Sequence, residues 1–262
     1  MSFGPADLTC DAFLDGRLRL WQPRIGYRAA TDPVLLAAFV PARPGERVLD
    51  LGCGVGTAGL CLAARVPGLE LHGLEVQPAY AELARRNAAD NRLALTVHEG
   101  DLRRPPAELR RLSFGQVIAN PPFHPATATG SPDSGRDRAQ REVDAPLADW
   151  IAAGLRRLRP GGRLALIHRA TRLPEILAAL TGAAGSIEVL PVAPRAGRPA
   201  GRVLVRARKG RSGPLILWPS LTLHEGDAHE ADRESYTAEA QALLRGMAGL
   251  LPDARSGGID NR

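Results

Sequence analysis

The run from Val48 to Thr57, VLDLGCGVGT, limits the fold of this chain more than any other stretch. Arg47–Leu51 is short and largely apolar, and reads as a buried strand. Glycines at 52, 54 and 56 break it, and Thr57–Arg65 then carries the Ala and Leu of a helix. A strand, a glycine turn and a helix in that order form a unit of an open α/β sheet. The turn falls at the strand's carboxyl end, where such sheets bind ligands. Glycine lets the backbone approach a ligand closely because no Cβ intervenes.

The alternation continues along the chain. Strands are expected at Glu70–Glu75, Leu95–His98, Gly115–Ala119, Arg163–His168 and Ser186–Val192, and helices at Pro78–Ala89, Leu147–Leu158 and Thr171–Thr181. Strands separated by helices pair in parallel, with right-handed crossovers that cover both sheet faces. Upstream, residues 1–30 form an extension with scattered hydrophobics. Thr31-Asp32-Pro33 then opens a short helix through Phe39, with Thr31 as its N-cap. Arg202–Arg208 alternates with period two, and no helix separates it from Leu215–Leu223. The pair predicts an antiparallel C-terminal hairpin across Lys209–Pro214. Thr237–Gly246 reads as a last helix, and 252–262 as a disordered tail. Residues 124–146 are rich in Pro, Gly, Ser, Asp and Arg, and form a loop long enough to be functional or disordered.

The glycines admit two registers. Gly54, Gly56 and Gly59 spell the dinucleotide fingerprint G-x-G-x-x-G, which would suit a nicotinamide-dependent oxidoreductase. Asp50, Gly52, Gly54 and Gly56 spell another, with an acid near the end of a clean five-residue strand. An acid there attracts a cationic ligand and repels a pyrophosphate, which favours the second register. Glu75 ends the next strand, where a carboxylate can accept both hydroxyls of a ribose. Asp101 follows the third strand and could accept from an adenine amino group.

Asn120-Pro121-Pro122-Phe123 directly follows the fourth strand. Two prolines stiffen the backbone and remove two N–H donors. The Asn120 side chain and the Pro121 carbonyl can then accept both hydrogens of one planar amine, and Phe123 can stack on the ring that carries it.

In these motifs the chain resembles the Rossmann-like S-adenosylmethionine-dependent methyltransferases that act on amino groups. Leu20-Trp21-Gln22-Pro23, Gly26-Tyr27 and Thr31-Asp32-Pro33-Val34-Leu35-Leu36 make it most similar to the bacterial tRNA(Val) adenine-N6 methyltransferases. It departs from that pattern in the long insertion after Phe123 and in having Pro33 where glycine is common. The resemblance implies an α/β class I methyltransferase fold: a mostly parallel twisted sheet flanked by helices, spanning residues 31–225. A C-terminal helix and tail would occupy 226–262. It further implies that Asp50 faces the sulfonium, that Gly52, Cys53, Gly54 and Gly56 pack against the cofactor, and that Glu75 and Asp101 hold its ribose and adenine. Thr31 and Asp32 would close over its methionine end, and Asn120, Pro121, Pro122 and Phe123 would form the catalytic motif. The expected substrate is the exocyclic amine of a nucleobase, adenine N6 in tRNA foremost. The alternatives are rRNA guanine-N2, a protein glutamine, or a non-catalytic RNA-binding protein on the same fold.

Net charge is +6, and Lys209 is the sole lysine among 34 basic residues. Pro191–His224 holds seven basic residues and no acidic one. Arg195, Arg198, Arg206, Arg208 and Lys209 are therefore candidates for RNA phosphate contacts. Charges interrupt every long apolar stretch, so no membrane span is expected. The start shows no basic segment followed by an apolar run. Cys10, Cys53 and Cys61 fit neither a disulfide framework nor a zinc site, which suggests a reducing cytoplasm. His224 and His229, near Glu225, Asp227 and Glu230, read as exposed loop, and no metal is expected. A monomer is assumed.

Overall fold

The computed structural model describes residues 3–123, 145–226, 235–246 and 249–250. The extension contains an antiparallel hairpin, β1 (Leu8–Phe13) with β2 (Leu18–Pro23), which its irregular hydrophobic spacing does not announce. Helix α1 (Thr31–Phe39) follows. Thr31 is its first helical residue rather than its cap: Ala30 holds that position and no side chain caps the helix.

The alternating segment then builds β3 (Arg47–Leu51), α2 (Thr57–Arg65), β4 (Glu70–Glu75), α3 (Pro78–Asp90), β5 (Thr96–Glu99), α4 (Ala107–Arg110), β6 (Phe114–Ala119), α5 (Leu147–Arg157), β7 (Leu158–Arg169), α6 (Leu173–Leu180), β8 (Ala184–Arg195) and β9 (Arg202–Lys209), followed by β10 (Ile216–Leu217), β11 (Leu221–His224) and α7 (Ala238–Leu244). Among the described residues these strands form a nine-stranded sheet ordered β10-β8-β9-β7-β6-β3-β4-β5, with β11 also on β8. β3, β4, β5, β6 and β7 run parallel. β9 runs antiparallel between β7 and β8.

The expected pairing of 202–208 with 215–223 does not form. β9 pairs instead with β8 through the turn at 196–201, and β10 and β11 lie parallel to β8. Val203 through Ala207 are all buried. A strand buried on both faces belongs in the sheet interior with a neighbour on each side, and β9 finds its two neighbours in β7 and β8 rather than in 215–223. The helix expected over Leu147–Leu158 ends at Arg157, and Pro160-Gly161-Gly162 lies within β7.

Side chains alternate across the sheet. Val48, Ile118 and Ile167 join α1 and α2 in one core, whereas Leu49, Leu51, Val117 and Leu166 join α5 and α6 in another. That parity puts Asp50 on the α2 face.

The β1–β2 hairpin is fastened to α3. Asn87 accepts from the Trp21 N–H at 2.7 Å and donates to its carbonyl at 3.1 Å. Asn91 does the same for Arg19 at 2.9 and 2.8 Å. Four helical residues rise about 6 Å and two strand residues about 6.8 Å. Two side-chain amides at i and i+4 can therefore follow a strand edge in place of another strand. No described helix is long and apolar enough to cross a membrane.

Candidate active site

The carboxyl ends of β3, β4, β5 and β6 open on a cavity of about 350 Å³. Asp50, Gly52, Cys53, Gly54, Glu75, Asp101, Asn120 and Pro122 line it, as do Tyr27, Thr57, Tyr80 and Trp150. Thr31, Asp32, Gly56, Pro121 and Phe123 do not.

The glycine turn is a sequence of left-handed residues, with φ of +64°, +55° and +89° at 52, 54 and 56. A Cβ on Gly52 would lie 2.3 Å from the Trp150 ring. β3 ends at Leu51 and α2 begins at Thr57, so the loop is Gly52–Gly56 and Gly59 lies inside the helix. This is the second of the two registers. Gly56 turns the chain into α2 and packs towards Leu60 and Ala84 rather than the cavity.

Asp50 Oδ2 accepts the Gly59 N–H at 3.0 Å. Burial, with a contribution from nearby Glu75, pushes its carboxyl up to about 7. Glu75 accepts from the Gly54 N–H through Oε2 and from the Gln77 N–H through Oε1, both at 2.9 Å. Burial raises its pKa as well. Two desolvated carboxylates facing one cavity favour a cation there. Asp101 accepts from the Arg103 N–H at 2.8 Å and its guanidinium at 2.7 Å, which holds the carboxyl below its usual range. Burial keeps the Cys53 thiol protonated, and its Sγ packs where a Cβ on Gly73 would stand. It is a packing group rather than a nucleophile.

At β6, Asn120 Nδ2 donates to the Tyr27 hydroxyl at 3.2 Å. Asn120 Oδ1 is buried and has no hydrogen-bond partner among the described residues. The next residues are braced by His168 at the end of β7. Its Nδ1 accepts from the Arg169 N–H at 2.9 Å, so Nε2 carries the proton and donates to the Pro122 carbonyl at 3.0 Å. Burial lowers the His168 pKa to about 4 and keeps the ring neutral.

Phe123 meets the His168 ring edge-on at 5.3 Å. The Arg202 guanidinium lies 4.6 Å from the Phe123 ring centre and 3.1 Å from Asp32 Oδ2. In this structure, then, Phe123 carries an arginine and Asp32 pairs with that arginine instead of facing the cavity.

The basic segment separates by height on the sheet. Arg195, Arg198 and Arg202 stand at the carboxyl rim, because β9 starts where β7 ends. Arg198 is exposed, and Arg195 donates to the carbonyls of Glu225 and Gly226. Arg206 is 2% exposed and bound to Glu188 through two nitrogens, at 2.8 and 2.6 Å, so it is no RNA contact. Arg208 and Lys209 lie at the opposite rim, about 20 Å along the strand from Arg202, and Lys209 is tied to the Leu158 carbonyl at 2.8 Å. Both stand at the end of the sheet opposite the cavity mouth. His224 stacks on Tyr236 at 4.7 Å. His124, most of the 124–146 loop, the cluster at 227–230 and the 252–262 tail lie outside the described residues.

Sequence reasoning assigned no role to Tyr27, Thr57, Tyr80 or Trp150. Each reaches the cavity from a different element, and no local spacing joins them. Thr57 Oγ1 and Trp150 Nε1 are buried with no partner among the described residues.

A sheet with acids at or just beyond the ends of β3, β4 and β5, and Asn-Pro-Pro-Phe after β6, defines an S-adenosylmethionine-dependent methyltransferase of the Rossmann-like class. The residues fit that cofactor: a left-handed glycine turn gives close approach, and two buried carboxylates await a cation. The chain belongs to the methyltransferase small domain family, whose model matches residues 30–190. A Porphyromonas gingivalis protein named tRNA1(Val) (adenine(37)-N6)-methyltransferase is 33% identical over 174 residues, 63% of this chain and 68% of its own length. A Dickeya chrysanthemi protein of the same name is 29% identical over 85% of this chain and 88% of its own length. Among solved structures, an Agrobacterium tumefaciens protein described as a predicted O-methyltransferase superposes with a TM-score of 0.65 at 30% identity, covering 83% of this chain and 97% of the other. A Thermus thermophilus 16S rRNA guanine-N2 methyltransferase shares the fold, with a TM-score of 0.53 at 20% identity over 77% of this chain and 50% of the other.

Proposed function

We propose that this enzyme methylates the N6 amine of an adenine in tRNA. The observation that carries the reading is the Asn120 side chain, whose buried Oδ1 offers an acceptor with no partner among the described residues at the carboxyl end of β6. An acceptor without a donor is costly when buried, and an amine hydrogen would satisfy it. A hydroxyl substrate has one hydrogen to give, whereas Asn120 and the Pro121 carbonyl suit the two of a planar amine. The relatives' names point to adenine in tRNA.

S-adenosylmethionine, when bound, supplies an electrophilic methyl group on a cationic sulfur. Asp50 and Glu75 provide negative charge to receive that cation, with Glu75 placed for ribose hydroxyls. Asp101, oriented by Arg103, is placed for the adenine amino group. Accepting both amine hydrogens draws the lone pair out of the ring and towards the methyl group. Holding the reactants in one geometry supplies much of the acceleration. No strong general base is needed, because the amine becomes acidic once methylated. For a base to stack on the Phe123 face that Arg202 covers, the guanidinium would have to move, and Asp32 can retain it as it does so. Asp32 is accordingly assigned to the substrate mouth rather than to the cofactor.

The catalytic unit comprises 31–225 together with the extension, which contributes Tyr27. Arg198, exposed at the rim, is the RNA contact favoured by position. A tRNA substrate places the work in the cytoplasm. Mass spectrometry of nucleosides from cells with and without this chain tests the reading. Loss of N6-methyladenosine from tRNA is expected. Unchanged tRNA with loss of N2-methylguanosine from rRNA, or of methylated glutamine from protein, would overturn it.

A further inference from the structure

Asn120 has two nearly isosteric amide ends, and only one of them can serve an amine. If the amide turned over, its NH2 would face the substrate's own hydrogens and repel them. We propose that Tyr27 is the positioning residue that fixes this choice: its hydroxyl oxygen accepts from Asn120 Nδ2 and so directs Oδ1 towards the target amine. The inference rests on the amine-methylation reading and adds a residue to it.

Four observations support the assignment. The Asn120–Tyr27 hydrogen bond spans 93 residues of sequence, so the hairpin extension, not the β6 motif, supplies the restraint. Tyr27 is itself held, because its backbone N–H donates to the Tyr80 hydroxyl at 3.1 Å. Its ring also borders the cofactor loop, where a Cβ on Gly54 would stand 3.8 Å from it. Burial raises the Tyr27 pKa most, and nearby Asp32 and Asp50 raise it further. Negative charge around a neutral phenol attracts its proton and leaves the oxygen lone pair for the amide.

The test is steady-state methylation by the full chain, comparing wild type with Tyr27→Phe in two backgrounds. With Asn120 present, Tyr27→Phe should lower kcat at least tenfold, while KM for the RNA and Kd for S-adenosylmethionine stay within about twofold. In Asn120→Asp both side-chain ends are oxygens and there is no orientation to set. There Tyr27→Phe should change kcat less than about threefold. A kcat within threefold of wild type in the native background overturns the proposal, as does a loss of cofactor affinity that accounts for the kcat loss. An equal fall in both backgrounds also overturns it. If Asn120→Asp shows no turnover, the kcat-against-KM split in the native background decides. If the wild-type enzyme methylates another amine instead, the adenine reading fails while the Tyr27 effect is read on that substrate.

Discussion

On the β3–β4 side of the cavity, both Glu75 oxygens and one Asp50 oxygen already accept backbone N–H groups. On the β6 side, Asn120 Oδ1 accepts nothing among the described residues. The first region is hydrogen-bonded internally but unbalanced in charge, with two buried acids that pair with no cation among the described residues. The second is sterically braced, by two prolines and by His168, yet unsatisfied at the acceptor. A cationic cofactor would answer the first deficit and an amine donor the second. One cavity thus has two sides that differ in the kind of interaction each lacks.

The sharpest way to break that contrast is Asn120→Ala. Removing one positioned polar group from a reaction centre typically costs about 100- to 1,000-fold in rate. Turnover should fall by at least about 100-fold while calorimetry shows cofactor affinity nearly unchanged. Equal losses of rate and cofactor affinity would merge the two halves into one.

The glycine-loop half should respond to pH. Asp50 holds its proton up to about 7, whereas binding a cation favours its ionised form. Cofactor affinity should therefore rise with pH, by up to about tenfold per unit below that value, and level off above it. Titration calorimetry across pH 5–8 reads this, and the slope should vanish in Asp50→Asn.

The β6 half should show the opposite type of linkage, in stability. The folded His168 pKa is lowered to about 4 from 6.5. Its contribution is therefore complete above about 6.5 and disappears as pH falls through 4. Denaturant unfolding of wild type against His168→Gln should show a difference that shrinks by about 3 kcal/mol between pH 7 and 4. Asp50 is common to both proteins and cancels.

The smallest effect concerns the rim. Arg198→Gln should lower RNA affinity a few-fold and reduce the salt slope by about one, whereas Arg208→Gln should leave both unchanged. Equal effects would mean that RNA reaches past the carboxyl edge.

Much of this was legible along the chain. The β3 and α2 boundaries, the parallel order and the motif acids follow from residues that are neighbours in sequence, where periodicity and turn chemistry act locally. The C-terminal pairing did not follow, because whether Arg206 faces water or Glu188 depends on which strand lies beside β9. Nor did the β1–β2 hairpin, whose edge is completed by Asn87 and Asn91 from α3.

The same division runs through the site. Sequence alone placed Gly52, Gly54, Glu75, Asp101 and Asn120 at or just beyond the carboxyl ends of their strands, a position that local pattern defines. Tertiary structure decided which of the neighbouring residues face the cavity. It turned Asp32 towards Arg202, placed that arginine on Phe123, and brought Tyr27 to Asn120 across 93 residues. Pairings of that kind arise only when separate elements pack, and no spacing within one segment encodes them.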